Sequence, residues 1–342
     1  MSVLRNALLE LLSGRTLDAA QTEAVFHEIL DGALPQALVA AFLVALRMKG
    51  EQEQELTGAA RALRARARTP ELGDGELLDT AGTGGDGAGT FNISTGAALV
   101  AAAAGVRVAK HGNRAISGAV GAADLLERFG VRIELAPAQL KQSLELCGFC
   151  FIFAPAYHPV LKSLAGLRRT LGIRTAFNLA APLANPALPA RQLLGVAEAR
   201  LVLPMAQALR ALETRHALVV HSADGLDELS LGGPTTAAEV RGDAPIRQYQ
   251  VRCEEFGLAA AESDRLRAAS ADQAAALMEA ALSGRRGPAR DVLALNGGAA
   301  IYVGGRANSL AQGVALAARL LDSGRPWETL QKVRAASLEE EP

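Results

Sequence analysis

Two different periodicities share this chain of 342 residues, and the place where one yields to the other limits what it can fold into. Up to Arg68 the apolar residues recur at helical spacing. Leu4, Leu8, Leu11 and Leu12 begin the pattern. Thr16-Leu-Asp-Ala-Ala-Gln-Thr-Glu23 then supplies a capping sequence ahead of Ala24, Val25, Ile29 and Leu30. Gly32 closes that helix, Pro35 opens the next, and Gly50 closes it in turn. A last helix runs from about Glu51 to Arg68 and stops at Thr69-Pro70. From Leu77 onward, short apolar runs alternate with helices: Leu77 to Asp79, Val106 to Val108, Phe149 to Phe153, Leu193 to Val196, and Leu218 to His221. That alternation predicts an α/β domain with a central, mostly parallel sheet. The expected division is a small all-helical domain over residues 1–72 and a larger α/β domain over 73–342, parted where Pro70 and Gly75 cluster.

Composition removes several classes of function. The balance of 35 Lys+Arg against 36 Asp+Glu leaves a formal net charge of −1, and only 4% of residues are aromatic. Gripping nucleic acid calls for basic stripes and stacking platforms, so no nucleic-acid partner is expected. Hydrophobic residues make up 50% and charged residues 21%, which argues against wholesale disorder. Three cysteines cannot build a disulfide framework and point to a reducing compartment. The start lacks a signal peptide's apolar centre, and the most apolar stretch, Ala97 to Val106, is too short to span a bilayer. The expectation is a cytoplasmic protein with no membrane partner.

Chemistry first appears in the glycine cluster Asp79-Thr-Ala-Gly82-Thr-Gly84-Gly85-Asp86-Gly87-Ala-Gly89-Thr90-Phe-Asn92-Ile93-Ser94-Thr95. It follows a strand and leads into a helix expected near Ser94. Glycines let successive backbone N–H groups form a nest, and a helix N-terminus adds partial positive charge, which suits phosphate or pyrophosphate. A single Gly-rich turn is also often no more than a tight strand-to-helix connection. Gly82 to Gly87 matches G-x-G-x-x-G, but a dinucleotide site expects an acidic residue about 20 positions on. No Asp or Glu lies between Asp86 and Asp124. The next strand instead runs into Lys110-His111-Gly112-Asn113-Arg114, a cationic strand end that asks for an anion. Two such loops after consecutive strands would share the carboxyl edge of one sheet. Further on, Asp227 and Glu228 follow another strand. Adjacent carboxylates there suit Mg²⁺, which favours one or two carboxylates plus waters and phosphates, although an acidic surface turn reads the same way.

Gly82-Thr-Gly-Gly-Asp86, Asn92-Ile-Ser-Thr95, Lys110-His-Gly-Asn-Arg114, Arg174-Thr-Ala-Phe-Asn178 and Asp227-Glu-Leu-Ser-Leu231 occur in that order. Together they resemble the anthranilate phosphoribosyltransferase family over nearly the whole chain, as far as Asn296 to Tyr302. The resemblance implies a homodimer whose active site lies at the hinge of the two domains, with the small domain completed by helices around residues 160–190. It implies a Mg²⁺-dependent, pentosyl-transferring glycosyltransferase of tryptophan biosynthesis. Its partners would be phosphoribosyl pyrophosphate (PRPP) and anthranilate. Gly82, Gly85, Asp86 and Thr90 would hold the pyrophosphate, and Asn92, Ile93, Ser94 and Thr95 would contact the same ligand. Lys110, His111, Gly112 and Arg114 would close on the phosphates. Asn113 and Arg168 would meet anthranilate, Arg168 opposing its carboxylate, and His158 would line the acceptor channel. Ser94 would touch one Mg²⁺, with Asp227 and Glu228 binding a second. On this reading Lys110, Asn113 and Arg168 carry the catalytic roles.

One loop departs from the family pattern, which has paired serines, a basic residue and a later hydroxyl. Here it reads Ala115-Ile-Ser117-Gly118-Ala119-Val120-Gly121-Ala122-Ala123-Asp124. Ser117 keeps one hydroxyl, but Gly118, Ala119 and Ala122 each remove a donor from the substrate-binding loop. The change leaves open a diverged relative with another acceptor or a binding-only role. A pyrimidine nucleoside phosphorylase shares the glycine loop but carries a further C-terminal domain, for which this chain is too short. Cys147-Gly-Phe-Cys150 is a formal C-x-x-C, yet Cys150 opens an apolar run and is expected as a buried strand residue. His27 and His216 stand alone and read as surface or satisfied histidines. Ser117 has no partnered His and Asp, so a hydrolase triad is unsupported.

Overall fold

The structure, a computed structural model, describes residues 2–115 and 120–339. Four helices come first: α1 (Val3–Leu12), α2 (Ala19–Leu30), α3 (Gln36–Lys49) and α4 (Glu53–Ala65). The Asp18 carboxylate accepts the Gln21 N–H at 2.7 Å and caps α2, which satisfies a donor the helix itself leaves orphaned. Gly50, at φ +88°, ends α3. The strand–helix alternation follows: β1 (Leu78–Gly82), α5 (Ile93–Ala103), β2 (Val108–Gly112), α6 (Ala122–Arg128), α7 (Pro137–Cys147) and β3 (Phe149–Phe153). The short helices α8 (Ala154–Tyr157), α9 (Ala165–Leu171) and α10 (Ala176–Ala180) lead back to β4 (Arg191–Gly195), α11 (Val202–Ala211) and β5 (His216–Ser222). Two further strands, β6 (Thr235–Arg241) and β7 (Arg247–Val251), precede α12 (Ala271–Leu282), α13 (Pro288–Val303), α14 (Leu310–Asp322) and α15 (Arg325–Leu338).

The seven strands form one sheet in the order β3-β2-β1-β4-β5-β6-β7. β1 to β5 are mutually parallel, while β6 and β7 add antiparallel at one side. The five expected strands are present, the first two shifted toward their C-terminal ends; β6 and β7 are additions. Cys150 is buried in β3, where burial pushes its thiol up to about 12, so it is an inert core residue. One apolar cluster packs α5, α13 and α14 onto the sheet through Leu99, Leu293, Ile301 and Val314. A second joins α1 to α4 and also takes in Leu164, Leu167, Ala176, Phe177 and Ala180, so the α9–α10 segment packs with the N-terminal helices. The two bodies are bridged by Arg47 of α3, whose guanidinium lies 2.6 Å from the Glu198 carboxylate beyond β4. No helix among the described residues is long and apolar enough to cross a membrane.

At the amino edge of the sheet, Glu239 of β6 is buried yet satisfied. It accepts from Tyr302 at 2.8 Å, Arg241 at 2.9 Å and Tyr249 at 3.2 Å, and lies 3.0 Å from His216 Nε2. His216 is thus a satisfied histidine. Burial alone would push the Glu239 carboxyl up, but the bonds from His216, Tyr302 and Arg241 outweigh it and hold it at about 2. A folded-state value below the ordinary 4.5 stabilises the fold above that pH and loses the effect as pH falls toward 2. Glu239→Gln is therefore expected to lower unfolding free energy at pH 7 by on the order of 2–3 kcal/mol. Urea titrations should find that gap narrowing at pH 3.5; an undiminished gap would contradict the assignment.

Candidate active site

Because β1 to β5 are parallel, their carboxyl ends share one edge. The chain reverses its direction across the sheet between β1 and β4, and that crevice is where open α/β folds bind ligands. Gly82 and Gly195 end these two strands in matched register. The segment after β5 crosses directly over the pair. A Cβ on Gly82 would lie 2.6 Å from Asp227 Oδ2, and one on Gly195 would overlap the Asp227 carbonyl oxygen. Neither glycine needs an unusual φ. Both are required by the close approach of Asp227.

The loop beyond Gly82 takes its shape from Gly84, Gly85, Gly87 and Gly89, all at positive φ. Gly84 N–H donates to Asp227 Oδ2 at 2.9 Å, and Ala88 N–H donates to Asp86 Oδ1 at 3.1 Å. Part of the expected backbone nest is thus turned onto the protein's own carboxylates. Thr90 pairs in an isolated antiparallel bridge with Arg267. Asn92 adopts φ +67° just before α5, and its side-chain oxygen accepts from Thr95 Oγ1. Ile93 and Thr95 are fully buried, so Ile93 offers a ligand only its main chain. Ser94 Oγ faces β2 and accepts from Lys110 Nζ at 3.1 Å.

Lys110 is buried on β2 and also donates to the Thr80 carbonyl. Burial lowers its ammonium, against the pull of Asp79, Glu228 and Asp227. Asp79 sits beneath it, fully buried, and accepts from Asn185 Nδ2 at 2.9 Å and His111 N–H at 3.2 Å. Burial pushes Asp79 up to about 6, opposed first by Lys110. At the edge, burial and then Asp86 raise Asp227 to about 7. Glu228, partly buried, is raised well above the ordinary range by burial and then by Asp227.

His111 and His158 face each other with ring centroids 5.2 Å apart. Burial, then His158 and Lys110, push His111 down to about 3, and burial also lowers His158. The pair is neutral at pH 7. His158 Nε2 lies 3.0 Å from the Ala184 carbonyl, while His158 Nδ1 and His111 Nε2 are buried with no partner among the described residues. Gly112 is held to glycine by the Phe151 ring, 2.7 Å from where its Cβ would stand. Asn113 and Arg114 are exposed. Arg114 pairs with Glu127 at 2.7 Å and stacks 4.9 Å over the Phe153 ring. The Asp124 carboxylate accepts from both Ala115 and Gly121 N–H at 2.8 Å, tying the ends of the altered loop together. Ser117 and Gly118 lie outside the described residues; Ala122 is buried in the first turn of α6. Arg168 is half-buried on α9, and no carboxylate pairs with it among the described residues.

The structure therefore brings Gly82, Gly85, Asp86, Ser94, Lys110, Asp227 and Glu228 to one crevice. His111 and His158 stand together on its β2–β3 side. Sequence reasoning did not single out five others: Gly195, the paired Asp79 and Asn185 beneath Lys110, Asp124, and Arg174, whose guanidinium donates to the Thr83 carbonyl. Arg174 stood in a quoted motif and Asp79 opened another, so both were visible in the sequence.

The carboxylates of Asp86, Asp227 and Glu228 lie near enough to repel one another, and with the Ser94 hydroxyl they offer only oxygen donors. Their mutual repulsion leaves negative charge for a hard cation to neutralise, and the residues fit Mg²⁺. Among the described residues no group of three or more His, Cys, Asp and Glu is arranged to hold a metal unaided. Mg²⁺ is commonly bound through one or two carboxylates and completes its shell with water and substrate phosphates.

Residues 74–326 match the family described as "Glycosyl transferase family, a/b domain", and residues 5–67 match its helical bundle domain. The anthranilate phosphoribosyltransferase of Brevibacillus brevis is 46% identical over 97% of this chain and 97% of its own. That of Thermomicrobium roseum is also 46% identical, over 97% of this chain and 96% of its own. The crystal structure of the Thermus thermophilus anthranilate phosphoribosyltransferase superposes with a TM-score of 0.91 at 41% identity, covering 98% of this chain and 99% of that one. The Saccharomyces cerevisiae protein, in complex with PRPP and Mg, gives 0.88 at 26% identity, covering 98% and 97%. With its two-body architecture, its glycine crevice and this likeness along nearly its full length, the chain belongs to the anthranilate phosphoribosyltransferase family.

Proposed function

We propose that the protein transfers the phosphoribosyl group of PRPP to the amine of anthranilate, releasing pyrophosphate, a step of tryptophan biosynthesis. The observation that carries this reading is the convergence of the glycine loop, Lys110 and the Asp227–Glu228 pair at the β1/β4 crevice. The anthranilate amine attacks the ribose anomeric carbon as the bond to pyrophosphate breaks, and the amine proton leaves to solvent or product. Negative charge then grows on the leaving group. Backbone N–H groups of Gly85, Asp86, Gly87 and Gly89 and the Lys110 ammonium meet that charge, and one preorganised donor can contribute ~3 kcal/mol. Bound Mg²⁺, held by Asp227, Glu228, Asp86 and Ser94, would supply further neutralisation of the pyrophosphate. Asn113 and Arg168 would position anthranilate, Arg168 with a guanidinium that no protein carboxylate claims among the described residues. The neutral imidazoles of His111 and His158 would wall the acceptor side without repelling a cationic ribose.

The same reading divides the chain into a helical domain, residues 1–72 completed by about 160–190, and a PRPP-binding domain over 73–342. The shared core of Leu164, Phe177 and the N-terminal helices supports it. Exposed Val3, Leu9 and Leu12 of α1 and Met48 of α3 support a homodimer. The three buried, unbridged cysteines support a cytoplasmic location.

Loss of anthranilate fluorescence with PRPP and Mg²⁺, assayed beside phosphorolysis of thymidine and uridine, tests the activity. Consumption of anthranilate alone is expected; phosphorolysis without it would overturn the proposal. The donors missing from the loop after Arg114 give a further expectation. Restoring two hydroxyls with Gly118→Ser and Ala122→Ser should lower the KM for PRPP about ten-fold, since bonds to charged groups are worth roughly 1.5–3 kcal/mol. An unchanged or raised KM would count against this account of the loop.

A further inference from the structure

Arg174 stands between α9 and α10, in the segment whose Leu167, Ala176 and Phe177 pack with the N-terminal helices. Its side chain nevertheless crosses to the other body and lies flat on the glycine loop. A Cβ at Gly85 would strike the guanidinium, so Gly85 is glycine for the sake of Arg174 as well as for its φ of +76°. One N–H donates to the Thr83 carbonyl. Asp227, Glu198 and Asp86 attract the cation and Arg47 repels it. A guanidinium has five donors in a planar fork, and among the described residues only the Thr83 carbonyl takes one. The remaining donors have no partner among the described residues, and they stand beside the loop that carries the backbone nest.

We propose that Arg174, delivered to the glycine loop by the helical body, is a diphosphate-binding residue. The inference rests on the phosphoribosyl-transfer reading for its substrate, but the contact itself requires only a diphosphate. A fork matches two phosphate oxygens where an ammonium offers a single point charge. A residue that merely neutralised Asp86 and Asp227 would be replaced fully by lysine.

Calorimetric titration of magnesium pyrophosphate into the full chain, wild type against Arg174→Gln and Arg174→Lys, separates these roles. Loss of the fork should weaken pyrophosphate binding and raise the KM for PRPP about ten-fold or more, with the anthranilate KM within about two-fold and lysine restoring only part. Unchanged pyrophosphate affinity, full rescue by lysine, or a parallel rise in both KM values would overturn the assignment. Should the glutamine variant fail to fold, the lysine variant carries the same comparison. Wild-type protein that binds pyrophosphate more tightly than the glutamine variant yet consumes no anthranilate would uphold Arg174 and overturn the activity alone.

Discussion

Asp227→Asn combined with Glu228→Gln is expected to lower kcat/KM by about 10³-fold, some 4 kcal/mol, while the melting temperature stays level or rises by a few degrees. Both substitutions keep shape. Asparagine retains an oxygen to accept the Gly84 N–H, so the glycine loop keeps its anchor. What disappears is negative charge, on two groups whose folded-state values burial and mutual repulsion push upward. A carboxyl raised from 3.8 to about 7 costs the fold stability in full above pH 7, and that cost fades as pH falls from 7 toward 3.8. Neutralising it removes the cost at pH 8. Function and stability are thus opposed at this site, as expected where charge is concentrated to hold a cation. A variant that retains more than a tenth of wild-type kcat/KM would contradict the role given to the pair. So would a melting temperature that drops by many degrees, because the two carboxylates would then be structural.

Gly195→Ala should be nearly as damaging, for a steric reason. The added methyl would overlap the Asp227 carbonyl, and a backbone atom cannot step aside as a side-chain tip can. Either the end of β4 moves, which breaks the 2.9 Å bond from Thr83 N–H to the Gly195 carbonyl, or the Asp227 segment lifts off the sheet. Overpacking of this kind costs about 3 kcal/mol, and displacement of the carboxylates should lower kcat/KM by roughly 10²-fold. Gly233→Ala is the control, because the nearest atom to its added Cβ, on Ala223, is at an ordinary 3.7 Å. Equal thermal midpoints and activities for the two alanine variants would dismiss the steric account.

What could be read from the sequence was what is local in it. Helix ends at Asp18 and Gly50, the apolar strand cores and the glycine loop each announce themselves within a few residues. β6 and β7 did not, because Thr235-Thr-Ala-Ala-Glu-Val-Arg241 mixes small apolar with charged residues. Its Glu239 is buried only because His216, Tyr249 and Tyr302 converge on it from other elements. Gly195 hid inside an apolar run: nothing in Leu-Leu-Gly-Val says that it pairs with Gly82 and lies under Asp227. The Asp79–Asn185 contact is likewise tertiary. Arg114 shows the converse. Its place in a cationic motif speaks of phosphate, but not of the Glu127 carboxylate and Phe153 ring that its guanidinium meets in the fold.

The central claim is that this crevice couples anthranilate to PRPP with departure of pyrophosphate. Recording anthranilate fluorescence and released pyrophosphate in one reaction mixture tests it most directly. The two signals should change together, mole for mole, and only when PRPP and Mg²⁺ are both present. Pyrophosphate release without loss of anthranilate, or no change in either signal, would contradict it.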